Sequence, residues 1–405
     1  TIWFVELASA PAAEGTPPGL LKKEKDDFRK AAGKAGLKYS ERFAFDTLWN
    51  GLSIRIDPAD FGTLARIPGV KALYPVVEVL APEPTGGEEL DLHTAIAMTG
   101  ADVAQSELGY TGAGVKVAVM DTGIDYDHPD LGGCFGPGCR VAYGYDLVGD
   151  DFNADDTSPS FNPIPVPDDD PDDCQGHGTH VAGIVGADGV VTGVAPGVTF
   201  GAYRVFGCEG STFADIMIEA MEMALADDMD ILNMSIGSAF QWPQYPTAEA
   251  SDRLVNAGMV VVASIGNSGT SGTYATGAPG VGKKVIGTAS FDNTHALAPY
   301  FEVMGEKIGY NPMSFADPAP TSGTEEIVYI GLACNGYPLD ADPAGKVALI
   351  SRGDCSFHDK AANALAAGAT AAVVHNNAPG NFNGTLGTYV PIAAVSISQE
   401  DGLFI

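Results

Sequence analysis

A chain of 405 residues is long enough for two or three domains, and 45% hydrophobic residues with 51 glycines and 27 prolines read as globular and loop-rich. Twenty-one Lys and Arg against 52 Asp and Glu leave a formal charge of −31, which argues against nucleic acid and anionic membranes as partners. The longest apolar runs, such as Met259 to Ile265, are too short to cross a bilayer.

In chain order, Ile2 to Leu7 reads as a strand and Leu20 to Ala35 as a charged helix. Phe43 to Ile56 reads as two strands around Asn50-Gly51, a pair that favours a tight turn. Pro58 to Ile67 is a helix with proline at its start, and Val70 to Leu80 a single strand. This βαββαβ order predicts an α+β sandwich of ferredoxin-like type. Ala81 to Glu89 breaks all periodicity and reads as a linker.

From Val115 to Ala289 short apolar runs alternate with helices. Val115 to Met120, Ile231 to Ile236 and Val260 to Ile265 have the composition of strands buried on both faces of a parallel sheet. Phe213, Ile216, Met217, Ala220, Met221 and Ala224 mark one face of an amphipathic helix. The alternation predicts a doubly wound α/β domain, whose ligands bind outside the carboxyl ends of the strands. After about residue 300 the character changes. Lys346 to Cys355 leads into an alanine-rich helix, Lys360 to Ala367, and the strand Ala371 to His375, a βαβ unit within a separate small domain. The last residues before Ile405 read as a strand.

Six cysteines suit three bridges on an extracellular protein. Cys134 and Cys139 flank a Phe-Gly-Pro-Gly turn, and Cys334 and Cys355 share the last hundred residues, which leaves Cys174 with Cys208. No Cys-x-x-Cys spacing exists, which argues against a zinc ribbon or a thioredoxin-type site.

Three polar segments follow the apolar runs. Asp121 closes a buried strand, where a lone aspartate is commonly a cap or a ribose ligand. His177, in Gly176-His-Gly-Thr-His180, enters a helix between glycines, and its alternatives are a structural histidine or an HxxH metal pair. No third ligand lies at helical spacing, and the glycines suit close backbone approach better than coordination. Asn267 follows Ser264-Ile-Gly266 and taken alone is a turn signal.

Together and in this order, Asp121-Thr-Gly, His177-Gly-Thr-His and Gly266-Asn267 closely resemble the subtilase family of serine peptidases, whose triad runs Asp, His, Ser. The resemblance implies a doubly wound, mostly parallel subtilisin-like sheet and hydrolysis of peptide bonds in proteins or peptides. In that scheme Asp121 orients His177, His177 relays the proton of a serine hydroxyl, and Asn267 donates to the oxyanion. Ser235, Ile236 and Gly237 match the family's substrate-binding strand, and Ser264, Ile265 and Gly266 its facing side.

The likeness continues at both ends. Residues 1–83 resemble the family's inhibitory pro-region, an intramolecular partner of the catalytic domain, with 84–91 as linker and 92–299 as an incomplete catalytic domain. Residues 300–405 resemble the β-rich protease-associated domain of large secreted members. No cofactor is required for the chemistry, but a structural calcium ion is compatible with two places. Asp130 matches a calcium-binding aspartate of the family, although the loop Ala187 to Gly193 is shorter than the family's. The run Asp168 to Asp173 offers carboxylates to a hard cation, or is a solvated acidic loop.

One departure concerns the nucleophile. The family's Gly-Thr-Ser-Met-Ala-x-Pro segment does not occur in these 405 residues. Gly269-Thr-Ser271-Gly lies close behind Asn267 and lacks the helical continuation, so Ser271 is expected to be a bystander and the chain a fragment. The alternative is a catalytically inactive subtilase-like binding protein, but intact Asp121, His177 and Asn267 favour the enzyme. Cys355 with His358 hints at cysteine chemistry, for which a bridge to Cys334 is the simpler explanation.

Overall fold

A computed structural model describes residues 1–82, 92–291, 293 and 298–405. They form two compact units that divide near residue 295. The linker expected at 84–91 lies outside the described residues.

The first unit opens with β1 (Ile2–Leu7), α1 (Pro18–Lys34), β2 (Tyr39–Phe45), β3 (Gly51–Ile56), α2 (Phe61–Leu64), β4 (Val70–Pro75) and β5 (Glu78–Leu80). β1 to β4 form an antiparallel sheet in the order β2-β3-β1-β4. Alternation along the strands gives this sheet two apolar faces. Val5, Leu52, Ile54 and Ile56 pack with Phe28 and Ala32 of α1. Phe4, Phe45 and Trp49 join a cluster with Met217, Ala220 and Met221 of the helix Ala214–Ala226. Each fully buried side chain of this size contributes about 1.5–3 kcal/mol.

Then come α3 (Leu92–Thr99), α4 (Ala101–Ser106), β6 (Lys116–Asp121), β7 (Val141–Asp146), α5 (His177–Gly186), β8 (Thr199–Arg204), β9 (Ser211–Phe213), α6 (Ala214–Ala226), β10 (Ile231–Met234), β11 (Ser238–Ala239), α7 (Pro246–Asn256), β12 (Val260–Ser264), β13 (Gly277–Ala278) and β14 (Ile286–Thr288). Six of these strands build a wholly parallel sheet in the order β14-β12-β10-β6-β8-β7. Ala118, Met120, Leu232 and Met234 are almost completely buried, as apolar strand residues covered on both faces of a parallel sheet are. Among the described residues no helix is long and apolar enough to cross a membrane.

The second unit holds β15 (Tyr300–Val303), β16 (Glu306–Gly309), β17 (Asn311–Pro312), β18 (Ser314–Asp317), β19 (Ile327–Tyr329), β20 (Val347–Ser351), α8 (Phe357–Ala366), β21 (Ala371–His375), β22 (Thr385–Ile397) and α9 (Gln399–Phe404). β15 and β16 form a hairpin, and the main sheet runs β17-β22-β21-β20-β19 with β18 also against β22. β20-α8-β21 is the βαβ unit read from the sequence, with Ala361 and Ala364 packed on Ile350 and Val374. Disulfides join Cys134–Cys139, Cys174–Cys208 and Cys334–Cys355, with Cα separations of 5.6, 5.2 and 5.7 Å.

Four local expectations are corrected. Asn50-Gly51 is not a two-residue turn, because Gly51 is already paired with Phe45 and Glu6. A Cβ there would lie 2.2 Å from the Val5 carbonyl and 2.4 Å from the Trp49 ring, so the glycine serves close packing. Pro58 to Ile67 is a 3-10 turn, Pro58–Asp60, followed by one turn of α-helix. Val70 to Leu80 is two strands. The break falls where the Val77 N–H donates to the Tyr245 hydroxyl at 3.0 Å and the chain leaves the first sheet. The chain approaches Ile405 as a helix, since Ser398 Oγ accepts the Asp401 N–H at 3.0 Å and caps α9.

Candidate active site

Asp121 ends the central strand β6 and is completely buried. Its Oδ1 accepts the Thr122 N–H at 2.8 Å and meets His177 Nδ1 at 2.7 Å. An ionised carboxylate can only accept, so this contact places the proton on Nδ1 and leaves Nε2 with its lone pair. Asp121 Oδ2 has no partner among the described residues, so the carboxylate is committed through Oδ1.

His177 is the first residue of α5 and its side chain is 14% exposed. Gly178 allows the approach: a Cβ there would meet the Gly123 carbonyl at 2.1 Å and Asp121 Cβ at 3.1 Å. The Gly178 N–H donates to Thr122 Oγ1 at 2.8 Å, which pins the helix start to the end of β6. Asp173 fastens the preceding loop. It accepts the N–H groups of Gln175, Gly176 and Thr179 and the Thr179 hydroxyl, at 2.6–2.9 Å. Burial alone would raise the Asp173 carboxyl, but these donors hold it below the ordinary carboxylate value. The Cys174–Cys208 bridge ties the same loop to the segment ahead of β9.

β9 borders the site, and β5 lies antiparallel along it with Val79 opposite Thr212 and Leu80 opposite Ser211. The Ala81 N–H continues the ladder to the Gly210 carbonyl at 3.1 Å. Val79 is buried, whereas Leu80 is 72% exposed, the alternation of an added strand. Beyond it Gln175 Nε2 donates to the Pro82 carbonyl at 2.7 Å, and Gln175 Oε1 accepts the His177 N–H at 2.9 Å. The extended segment 78–82 therefore ends one side chain from the histidine.

The remaining sequence candidates occupy the same end of the sheet. Ser235, Ile236 and Gly237 follow β10, with Ser235 Oγ accepting from Asn233 Nδ2 at 3.1 Å. A Cβ on Gly237 would meet the Ala278 carbonyl at 2.7 Å. Ser264 closes β12, and Ile265 and Gly266 lead to Asn267, which is exposed and whose side chain has no hydrogen bond among the described residues. Ser271 lies in an exposed 3-10 turn, Gly269–Ser271, and makes no hydrogen bond to His177.

In the acidic run, Asp170 accepts from the Tyr126 hydroxyl, Asp168 and Asp172 cap their own turn, and Asp173 holds the His177 loop. Among the described residues the one group with converging ligand atoms is Asp150, Cys174 and Cys208, and its cysteines are bridged. In its own contacts the acidic run fastens its own loop and the start of α5. Asp130 is buried, its Oδ2 accepts the Val191 N–H at 3.2 Å, and its carbonyl accepts the Asp188 N–H at 2.9 Å. Arg140 supplies positive charge nearby, donating to the carbonyls of Asp130, Pro196 and Val198 at 2.5–3.2 Å.

Two contributors were not read from the sequence, β9 and Gln175. Three residues are too few to show a period, and the one available signal was Gly210 ahead of Thr212 and Phe213 at a helix start.

Comparison with known proteins fits this geometry. Residues 112–391 match the family model described as the subtilase family. The chain is 33% identical over 422 residues to the minor extracellular protease Vpr of Bacillus subtilis (strain 168), covering 99% of this chain and 50% of that protein. It is 35% identical over 218 residues to subtilisin DY of Bacillus licheniformis, covering 52% of this chain and 68% of that one. The PI-type proteinase of Lactococcus lactis subsp. cremoris is 27% identical over 412 residues, 86% of this chain and 20% of that protein. The chain thus spans half the length of Vpr and a fifth of the PI-type proteinase. With a family model matched over most of its length and an Asp–His pair at the carboxyl end of a parallel sheet, the chain belongs to the subtilase family.

Proposed function

We propose that this chain is a secreted serine endopeptidase precursor whose nucleophilic serine lies outside residues 1–405. Asp121 holds His177 as the Nδ1–H tautomer, and His177 takes the serine proton and returns it to the leaving amine. Asn267 donates its side-chain amide to the oxyanion. Residues 1–83 act as an inhibitory pro-region, 84–91 as its linker, 92–299 as the catalytic domain and 300–405 as a protease-associated domain. Substrate extends along β9 as the segment 78–82 does, facing Ser235–Gly237 and Ser264–Gly266. The observation that carries the reading is the 2.7 Å contact of His177 Nδ1 with Asp121 beside an edge strand already occupied by an extended segment.

The test is hydrolysis of a chromogenic peptide by residues 1–405, by the Ser271→Ala variant, and by the chain carrying its own downstream sequence. No turnover is expected from the first two and turnover from the third, because loss of the serine costs on the order of a millionfold. Turnover by residues 1–405 that Ser271→Ala abolishes would overturn the proposal.

A further inference from the structure

We propose that Arg42 and Asp215 form a recognition lock through which the catalytic unit selects its own first segment; this rests on reading residues 1–83 as the pro-region. Asp215 lies in the first turn of α6 and is completely buried. Arg42 Nε reaches its Oδ2 at 2.6 Å and Arg42 Nη2 its Oδ1 at 3.2 Å, a two-pronged pairing that lysine cannot reproduce. Ser53 Oγ donates to the same Oδ2 at 2.5 Å. All three donors come from residues 1–80 and the acceptor from α6.

The sequence builds Arg42 for this purpose. β2 is an edge strand, and its pairing with β3 shifts between Glu41 and Phe43, so Arg42 is the extra residue of a bulge. A bulge frees one side chain from the alternation and re-aims it. Glu41 turns to Arg29 of α1, whereas Arg42 faces α6. Its guanidinium lies 4.9 Å from the Phe213 ring and 5.8 Å from that of Phe43. Phe213 is also the residue of β9 opposite Glu78, so the lock abuts the strand that holds the segment 78–82.

A buried ion pair adds little net stability, because desolvation offsets most of the attraction. Its effect is discrimination: a partner without a guanidinium at this point leaves Asp215 buried and unpaired. The chemistry α6 demands is therefore an arginine on a bulged edge strand, which restricts the site to the cognate segment.

The experiment uses the full chain, cut in its linker by a glutamyl endopeptidase, with release of the first segment followed by size exclusion and by the dissociation rate on dilution. Wild type should retain the segment. Arg42→Ala and Asp215→Asn should each speed release about a hundredfold, and the double variant should recover most of that loss because it leaves no buried charge unpaired. Arg42→Lys, which keeps the charge and the fold, should speed release about tenfold through loss of the second prong. Release within threefold of wild type for all variants, or losses that simply add, overturns the lock while leaving the pro-region reading intact. Free release of the wild-type segment overturns the pro-region reading and the lock with it.

Discussion

Replacing Gly178 with alanine should uncouple Asp121 from His177 while leaving both residues in the sequence. The added Cβ would sit 2.1 Å from the Gly123 carbonyl, and contacts under 3.0 Å essentially never occur. Both neighbours are anchored, Gly123 beside the end of β6 and Gly178 by its N–H bond to Thr122, so the start of α5 must retreat by about 1 Å. His177 is the adjacent residue, and its Nδ1 contact, now 2.7 Å, would pass beyond hydrogen-bond range. Overpacking of this kind costs about 1–3 kcal/mol, and loss of a charge-assisted bond roughly 1.5–3 more. Urea unfolding of Gly178→Ala should therefore show a loss of about 3 kcal/mol or more, and the downfield Nδ1 proton resonance of His177 should vanish. Gly183→Ala is the control on the same helix, because nothing lies within 4 Å of its added Cβ. That substitution should stabilise by about 0.5–1 kcal/mol, since alanine is the better helix former. If Gly178→Ala behaves like Gly183→Ala, the close approach is not what holds the pair together.

The junction of the first segment with α6 should respond to pH. Glu222 accepts the N–H groups of Thr47 and Leu48 at 3.2 and 2.9 Å, and burial, with Glu219 and Asp46 nearby, pushes its carboxyl up to about 7. A carboxyl raised in the folded state stabilises most at low pH, and that contribution fades as pH climbs from about 4.5 to 7. Glu222→Gln keeps the acceptor and should flatten this dependence by roughly 1–2 kcal/mol between pH 5 and pH 8 in urea unfolding; an unchanged slope would refute the assignment. The acidic run fastens its own loop, so calcium should owe nothing to it. Any calcium-dependent rise in melting temperature should survive Asp169→Asn with Asp170→Asn, and its loss there would restore the run as a cation site.

What the sequence made legible follows from how strongly each segment is constrained. β6, β10 and β12 carry buried apolar residues such as Met120, Leu232, Met234 and Val261, so their runs stood out, and the polar residues that end or follow them marked the site. Asp121 and His177 were legible through the resemblance of Asp121-Thr-Gly and His177-Gly-Thr-His to the subtilase motifs, and Gly178 lets the start of α5 close on the end of β6. Elements that exchange partners were harder. Val70 to Leu80 is uniformly strand-like, yet its two halves serve different sheets, and the break depends on a hydroxyl of Tyr245, far along the chain. Asn50-Gly51 carried a turn signal with a packing cause, because the reason for the glycine was the Val5 carbonyl on another strand. Asp173 shows the same limit at the site. In a row of acids nothing distinguishes the one whose carboxylate receives four donors from its neighbours at the surface. Ser398-Gln-Glu-Asp401, by contrast, carried a local capping signal that needs no distant partner, a serine followed three residues later by an acid, and the strand reading of the last residues passed over it. Local chemistry is readable from the chain itself; a residue whose role is set by a partner a hundred positions away is not, and Asp215, held by Arg42 and Ser53, is the clearest case here.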